Sequence, residues 1–230
     1  MSASSEARLG DTPHRVMPNK DPVITAVLAS LAPAGVRIEH RIIAPGDEDA
    51  LLDAEARYFA NSIARVRRQS GAARLAAREI LVDLGIVDAA LPRRRGGPPE
   101  WPRGIVGSLA HDDEVAVAAV ARGELYSGIG IDVEPALPLP PELIEKVATQ
   151  AERRRYATTL VESRVLFAVK EAIYKAQYPI HGEFLDFDDI EVDLTMNQAV
   201  TRGGRRLAVA VATLPRIFAL AFIPCASSFK

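Results

Sequence analysis

The chain has 230 residues, 48% of them hydrophobic and 25% charged, so it is long enough for one large domain or two small ones with a sizeable core. A formal net charge of −2 gives no overall reason to expect nucleic acid or an anionic membrane as a partner. The single cysteine, Cys225, excludes an internal disulfide framework and favours a reducing compartment. Residues 1–20 are polar and no apolar run could cross a bilayer, so we expect a disordered leader and a cytoplasmic protein.

The first half of the chain begins with predicted helices around one strand. Asp21 can cap a helix over Pro22–Leu31, which has proline at its first position. The alternation of Val36–Ile43 predicts a strand. Leu51–Gly85 is rich in alanine and helical in character, and Gly71 predicts its division into two helices.

A loop with four prolines and two glycines, Asp88–Arg103, leads into three consecutive predicted strands. These strands are Ile105–Leu109, Val115–Ala121 and Leu125–Val133. The second half again runs from helices to three strands, namely Glu142–Ala148, Ala151–Tyr156, Glu162–Gln177, Ile190–Leu194, Leu207–Thr213 and Ile217–Ile223. We therefore predict the α+β class, with two similar subdomains at residues 21–127 and 128–230. Each is expected to be a small antiparallel sheet packed with helices, the two related by a pseudo-two-fold.

The strand over Gly128–Pro135 carries two acids on one face. Alternation places Asp132 and Glu134 on the face that also holds Gly128 and Gly130, with α-carbons of the acids roughly 6.6 Å apart. Like charges this close repel unless a proton or cation lies between them, and Mg²⁺ prefers such oxygen ligands. The two glycines leave room for a ligand to approach the backbone. The alternative is an edge strand with two solvated acids.

The helix containing Phe167–Ala176 has a buried stripe and a charged side. Glu171 and Lys175 are four residues apart, roughly opposite the apolar stripe. They form either a surface ion pair or a functional pair, in which Glu171 supplies a third carboxylate to the face of Asp132 and Glu134.

Phosphate-binding groups are concentrated in the first half. Ser108 and His111 end a predicted strand, but the Gly-x-Ser-x-Gly elbow of a hydrolase is absent, and His111 would serve equally as a donor to phosphate. Arginine, which binds phosphate through bidentate hydrogen bonds, recurs at positions 65, 67, 68, 74, 78, 93, 94, 95 and 103. Three carboxylates, many cations and no strong nucleophile fit metal-assisted phosphoryl chemistry on a nucleotide-like ligand.

Four blocks, in this order, resemble the 4′-phosphopantetheinyl transferase family. They are Ala73–Leu81, Trp101–His111, Gly130–Glu134 and Phe167–Ala176. The resemblance is nearest to the pseudo-dimeric, surfactin-type members, in the branch of the enterobactin synthetase component D-like enzymes. It implies transfer of the phosphopantetheine arm of coenzyme A to a serine of an apo acyl or peptidyl carrier protein, with release of adenosine 3′,5′-bisphosphate. The carrier could serve fatty acid, polyketide, non-ribosomal peptide or siderophore synthesis, and a monomer is expected.

The resemblance also implies roles for individual residues. Asp132, Glu134 and Glu171 would hold Mg²⁺ on the pyrophosphate, with Mn²⁺ as the alternative ion. Lys175, with Lys170 nearby, would neutralise phosphate charge, and Asp132, Glu171 and Lys175 form the predicted catalytic set. Beyond the resemblance, we hypothesise that Glu171 removes the serine proton, directly or through a metal-bound water. The remaining coenzyme A contacts implied by the resemblance are Arg67, Arg74, Ser108 and His111.

The chain departs from the family pattern at the end of the second block, Trp101–His111. Ala110 stands where a threonine or serine is usual, and Asp112, Asp113 and Glu114 follow His111. Three acids there would weaken anion binding unless they point to solvent. Two alternatives to an active transferase therefore stay open: a coenzyme A or carrier-protein binder of the same fold, and an unrelated Mg²⁺-dependent nucleotide hydrolase.

Overall fold

A computed structural model describes residues 19–93, 97–156 and 160–226. The predicted leader therefore lies outside the described residues, except for its last two. Those two belong to the fold: the carbonyl oxygen of Asn19 accepts a hydrogen bond from the backbone N–H of Ile42 at 2.7 Å. The ammonium of Lys20 lies 2.5 Å from a carboxylate oxygen of Glu39 and 2.7 Å from one of Glu79. These contacts attach residues 19 and 20 to the strand over Val36–Ile42 and to the helix that contains Glu79.

The first half forms an antiparallel sheet in the order β1-β3-β2, covered by a long helix. Its elements are α1 (Pro22–Leu31), β1 (Val36–Ile42), α2 (Asp53–Ala56), α3 (Ala64–Asp83), β2 (Ile105–His111) and β3 (Val115–Arg122). The side chain of Asp21 accepts hydrogen bonds from the first turn of α1, as predicted. Alanine and aliphatic residues of α3 pack against the sheet through Ala76, Ile80 and Val120.

Helix α3 is continuous through Gly71, so the predicted division at that glycine is wrong. The Leu51–Gly85 segment is interrupted instead between α2 and α3. A Cβ atom at Gly71 would lie only 1.9 Å from the carbonyl oxygen of Asp47. The glycine is therefore needed for the close approach of the turn over Asp47–Ala50, and the helix tolerates it because packing outweighs propensity. Gly85 follows the helix with a φ of +83°, the left-handed conformation that ends many helices.

The second half forms an antiparallel sheet in the order β4-β8-β7-β6-β5. Its elements are β4 (Tyr126–Pro135), α4 (Pro141–Val147), α5 (Gln150–Tyr156), α6 (Leu160–His181), β5 (Ile190–Asp193), β6 (Gln198–Thr201), β7 (Arg206–Ala212) and β8 (Arg216–Pro224). The short strand β6 was not predicted. Helix α6 also continues two residues beyond Pro179, since a proline in the last turn removes only one backbone donor.

The two sheets face each other across a shared core, with α3 outside the first and α6 outside the second. Ile129 and Ile131 of β4 meet Val117 and Ala119 of β3 in that core. The predicted α+β class, with one small antiparallel sheet in each half, is confirmed. The subdomain boundary at residue 127 stays a prediction. None of the helices in the described parts of the chain is long and apolar enough to span a membrane.

Candidate active site between helices α3 and α6

Strand β4 carries the predicted acidic face, and helix α6 lies directly against it. The apolar residues of the strand face the inter-sheet core, as the alternation predicts. On the other face, a Cβ atom at Gly130 would lie 1.8 Å from the carbonyl oxygen of Ala172. A Cβ atom at Gly128 would lie 2.3 Å from the carbonyl oxygen of Ala176. The glycines therefore admit the backbone of α6 and not a ligand, which corrects the interpretation drawn from the sequence.

This close packing places one charged stripe of α6 over the acidic end of β4. Arg164, Glu171 and Lys175 are spaced by seven and four residues and so share one side of the helix. Lys175 pairs with Asp132, and Arg164 pairs with Glu134. Glu171 lies between the two cations, close enough for the charges of both strand acids to raise its pKa. The structure thus brings together four of the residues singled out in the sequence.

Each strand carboxylate has one oxygen paired with a cation. The Nζ atom of Lys175 lies 2.6 Å from Oδ1 of Asp132 and 3.3 Å from the carbonyl oxygen of Ile131. Nη1 of Arg164 lies 2.5 Å from Oε2 of Glu134. The other oxygen of Asp132, Oδ2, is buried and has no hydrogen-bond partner among the residues described. Burying a carboxylate oxygen without a donor is costly, and a hard cation would relieve that cost.

The three carboxyl groups have raised pKa values. Burial is the largest cause of the raised pKa at Asp132, Glu134 and Glu171. The ammonium of Lys175 lowers the pKa of Asp132 and Glu171, and so opposes the effect of burial. The guanidinium of Arg164 does the same for Glu134. Asp132 and Glu134 also raise the pKa of Glu171. The electrostatics of the cluster therefore favour an added positive charge.

The carboxylates of Asp132, Glu134 and Glu171 are the kind of ligands that a magnesium ion prefers. Hard oxygen atoms and the unpaired Oδ2 of Asp132 are what such an ion prefers. Nowhere in the described ranges, however, do three histidine, cysteine or acidic side chains already form a metal-binding group. The predicted set of Asp132, Glu134 and Glu171 stays a prediction.

A cleft of about 280 Å³ lies beside the acids, where the edge strands β2 and β4 meet between α3 and α6. Glu171 and Lys175 line it from α6. Ser108 and His111 of β2 and Arg74 of α3 line the opposite side. Groups that suit a metal and groups that suit phosphate thus face one another across a single cleft.

His111 lines the cleft and is a solvent-exposed residue. Desolvation by the surrounding protein is the main cause of its lowered pKa, and the charge of Lys175 lowers the pKa further. The neighbouring Asp112 and Asp113 oppose that change. A neutral imidazole has one N–H to donate, so His111 is suited to hydrogen-bond a phosphate oxygen at neutral pH.

Arg74 is buried in the wall of the cleft and has unused hydrogen-bonding capacity. Nε donates to the carbonyl oxygen of Leu91 at 3.0 Å, and Nη1 to that of Ser70 at 3.2 Å. Nε also lies 3.6 Å from Oε1 of Glu55, whereas Nη2 is buried without a partner in the part of the chain described. Burial lowers the pKa of Arg74 to about 10, against the opposing charge of Glu55. The guanidinium stays cationic and keeps donors for an anion.

Lys170 does not line the cleft, which corrects its predicted contact with phosphate. Its Nζ atom lies 2.6 Å from Oε2 of Glu152, and both side chains are fully buried. The ammonium also donates to the carbonyl oxygen of Phe187 at 2.9 Å. Burial lowers the pKa of Lys170, and Glu152 opposes this effect. Lys170 precedes Glu171 by about 100° of helix rotation, so its side chain enters the core instead.

The other predicted arginines divide between the cleft and its surroundings. Arg93 lines the cleft. Arg67 is absent from the cleft lining, and its Nη1 atom donates to the carbonyl oxygen of Ser62 at 3.4 Å. Arg94 and Arg95 lie outside the described residues.

The acids that follow His111 are neutralised by neighbouring groups. Nε of Arg216, the first residue of β8, lies 2.7 Å from Oδ2 of Asp112. Nη1 of the same guanidinium lies 2.8 Å from Oε2 of Glu114. Asp113 pairs with Arg65. Each acid therefore has a cationic partner, and the expected weakening of anion binding is reduced by these ion pairs.

Comparisons with known proteins show the family of this chain. The model of the 4′-phosphopantetheinyl transferase N-terminal domain matches residues 54–121, and that of the 4′-phosphopantetheinyl transferase superfamily matches residues 128–213. The chain is 35% identical to 4′-phosphopantetheinyl transferase Npt of Nocardia iowensis, over 77% of this chain and 81% of that protein. The chain belongs to the 4′-phosphopantetheinyl transferase superfamily.

Two further relatives carry the same description. The chain is 36% identical to 4′-phosphopantetheinyl transferase Svp of Streptomyces mobaraensis, over 72% of this chain and 71% of that protein. It is also 36% identical to 4′-phosphopantetheinyl transferase PptT of Mycobacterium tuberculosis, over 61% and 64% respectively. The chain is therefore an enzyme, a phosphopantetheinyl transferase, of a family that uses coenzyme A. The predicted branch within the family stays a prediction.

Three residues of this transferase were missed in the sequence. Arg164 could have been found, because it precedes Glu171 by seven residues on the same side of a predicted helix. Buried Glu55 accepts from Arg78 at 2.9 Å and from the backbone N–H of Leu91 at 2.7 Å. No local pattern signals these long-range contacts of Glu55. The partnership of Arg216 with the acids after His111 is likewise apparent only in the folded chain.

Proposed function

We propose that this transferase moves the 4′-phosphopantetheine arm of coenzyme A to the serine hydroxyl of an apo acyl or peptidyl carrier protein. The reaction requires Mg²⁺ and releases adenosine 3′,5′-bisphosphate. The proposal rests on one observation: carboxylates from β4 and α6 meet beside a cleft whose opposite wall presents donors for phosphate. An acceptor serine supplied by the partner also means that the cleft needs no strong nucleophile among the described residues that line it.

The two walls of the cleft have different tasks in this proposal. The unpaired Nη2 of Arg74, the hydroxyl of Ser108 and the imidazole of His111 bind phosphate oxygens of coenzyme A. Asp132 and Glu134, with a third carboxylate from α6, would hold Mg²⁺. The ion, when bound, neutralises charge on the pyrophosphate.

In the chemical step, the serine Oγ attacks the phosphorus attached to the pantetheine arm. The bond from that phosphorus to the bridging oxygen breaks, and adenosine 3′,5′-bisphosphate leaves with the electron pair. The serine proton passes to the carboxylate of Glu171, whose burial-raised pKa suits a general base. Lys175, 2.6 Å from Asp132, stabilises the negative charge that develops on the leaving phosphate.

Transfer is tested by incubating the enzyme with Mg²⁺, coenzyme A and an apo carrier protein and weighing the acceptor intact. We expect a gain of one phosphopantetheine group, with an equal amount of adenosine 3′,5′-bisphosphate. Binding of coenzyme A without a mass gain would indicate a binding homologue. Loss of nucleotide without acceptor would indicate a hydrolase.

The base is tested with Glu171→Gln. This variant should abolish transfer while coenzyme A still binds, and near-normal turnover would refute the assignment. Glu142→Gln changes an exposed acid on α4 and is the matched control, expected to react like wild type. The pathway served by the carrier, the cytoplasmic location, the monomeric state and the absence of nucleic-acid or membrane partners stay predictions from the sequence.

A further inference from the structure

The guanidinium of Arg164 contacts three acceptors at the end of β4 that carries Asp132 and Glu134. Nη1 lies 2.5 Å from Oε2 of Glu134. Nε donates to the carbonyl oxygen of Leu137 at 2.8 Å, and Nη2 donates to that of Pro138 at 2.9 Å. The side chain is only 15% exposed. One residue of α6 therefore fixes both a carboxylate and the chain that follows it.

The location of Arg164 relates it to the proposed reaction. It precedes Glu171 by two helical turns, about 10 Å along the same side of α6. Asp132 raises the pKa of Glu134 by charge repulsion, in addition to the effect of burial, and Arg164 opposes both. Without a partner, the carboxylate of Glu134 would turn away from the other acids toward solvent.

We infer that Arg164 is a positioning residue for the metal site, holding Glu134 by Oε2 so that Oε1 remains for the cation. Arg164 acts through Glu134 and touches neither substrate nor metal. The inference rests on the proposed function, which assigns Mg²⁺ to the same carboxylates. It adds a residue that neither the motif of β4 nor that of α6 contains.

A positioning role and a purely electrostatic role of Arg164 lead to opposite expectations for the binding of a divalent cation by variants at this residue. If Arg164 acted only as a nearby positive charge, removing it would tighten the binding of a divalent cation. If it acts by orientation, Arg164→Lys should weaken binding even though the charge is kept. A lysine ammonium is a point charge and cannot reproduce the planar fork that reaches three acceptors in different directions.

The test is a titration with Mn²⁺, followed by electron paramagnetic resonance, of the full-length enzyme without coenzyme A. Wild type, Arg164→Lys and Arg164→Met are compared with Arg153→Met. Arg153 is the matched control, since its Nη1 atom also donates to backbone carbonyls, of Ala148 at 2.7 Å and Glu145 at 3.2 Å. We expect Arg164→Lys to weaken Mn²⁺ binding about tenfold, the loss typical when the partner of a metal ligand is changed.

Two further measurements separate positioning from general damage. Arg164→Lys should remain folded at the temperature of the titration, its coenzyme A affinity without metal should match wild type, and Arg153→Met should bind Mn²⁺ normally. Unchanged or tighter Mn²⁺ binding by Arg164→Lys, or tighter binding by Arg164→Met, would overturn the inference. If wild type itself does not bind Mn²⁺, the metal part of the proposed function fails instead. If Arg164→Lys does not fold, Arg164→Gln replaces it: weaker Mn²⁺ binding is expected, and unchanged or tighter binding would overturn the inference.

Discussion

The ammonium of Lys175 lies 2.6 Å from Oδ1 of Asp132, and this contact joins the two elements that build the candidate site. Asp132 sits on β4 and Lys175 on α6, so the distance depends on how closely helix and strand approach. Lys175 also lines the cleft, where phosphate is expected. One cation thus compensates a buried acid and also faces the cleft in which the proposed function places phosphate.

Replacing Lys175 with methionine removes that cation while keeping the length of the side chain. We expect kcat for transfer to fall about 10²–10³-fold, because a positioned charge that stabilises the leaving phosphate is lost. Lys146→Met, on the exposed side of α4, is the matched control and should retain wild-type turnover. Turnover of Lys175→Met within a few-fold of wild type would contradict the role given to this ammonium.

Asp132→Asn should stabilise the metal-free enzyme at neutral pH. Burial raises the pKa of Asp132 above its ordinary value of 3.8, so the folded state favours the protonated acid. Stability from this group is present below pH 3.8 and is lost as the pH rises through the raised value. At neutral pH, asparagine avoids that cost, and we expect a gain of about 1 kcal/mol. Urea unfolding in chelator measures it.

The pH dependence supplies the control for that measurement. The advantage of Asp132→Asn should shrink as the pH is lowered toward the ordinary pKa of aspartate, since the wild-type acid is then protonated as well. Asp83→Asn removes one negative charge from an exposed position and corrects for net charge. If Asp132→Asn were less stable than wild type at every pH, the ion pair of Asp132 with Lys175 would outweigh the cost of burying the carboxylate.

Gly130→Ala should separate α6 from β4. The added Cβ atom would lie 1.8 Å from the carbonyl oxygen of Ala172, and neither backbone can yield without moving the helix. We expect a loss of about 3 kcal/mol in the free energy of unfolding and a larger loss of transfer activity. Gly203→Ala is the control, because its Cβ atom would find only side-chain atoms, at 3.8 Å or more. Wild-type stability of Gly130→Ala would contradict the packing.

Lys170→Met tests whether this lysine is structural. The substitution leaves Glu152 ionisable and fully buried without its partner, which typically costs about 3–5 kcal/mol. Adding Glu152→Gln should recover part of that loss, because no charge then remains buried. Coenzyme A affinity of the folded fraction should equal that of wild type. Weaker coenzyme A binding at undiminished stability would restore Lys170 as a ligand contact.

Arg216→Ala tests the neutralisation of the acids after His111. Without the guanidinium, Asp112 and Glu114 lose their partner beside the phosphate-binding wall. We expect coenzyme A binding to weaken several-fold at low salt and to recover partly at high salt, where the repulsion is screened. Arg202→Ala removes a largely exposed arginine elsewhere on the same half and should change nothing. Calorimetric titration at two salt concentrations distinguishes the two variants.

The features predicted correctly from the sequence are those set by local periodicity. Alternation placed Asp132 and Glu134 on one face of β4, and helical spacing placed Glu171 and Lys175 on one side of α6. Asp21 and the proline after it were sufficient to locate α1 over Pro22–Leu31. These signals depend on neighbours a few residues away, so they are present in the unfolded chain.

The incorrect predictions depend on contacts between distant segments. The sequence shows that Gly130 leaves space, but only the fold shows that a helix backbone occupies it. Lys170 and Glu171 are adjacent in the motif, yet one pairs with Glu152 in the core and the other lines the cleft. Likewise, Gly71 leaves space for the turn over Asp47–Ala50, which lies more than twenty residues earlier in the chain.

The indole of Trp101 gives the enzyme a built-in optical signal. It is the sole tryptophan of the chain, and it lies so close to Gly107 that a Cβ atom there would be 2.7 Å from the ring. Gly107 in turn lines the cleft, and a neighbouring groove of about 760 Å³ is lined by both residues. The emission of one fluorophore therefore originates beside the proposed coenzyme A site. Occupancy of the cleft should be readable in unlabelled protein, in real time, as a change in its intensity or wavelength.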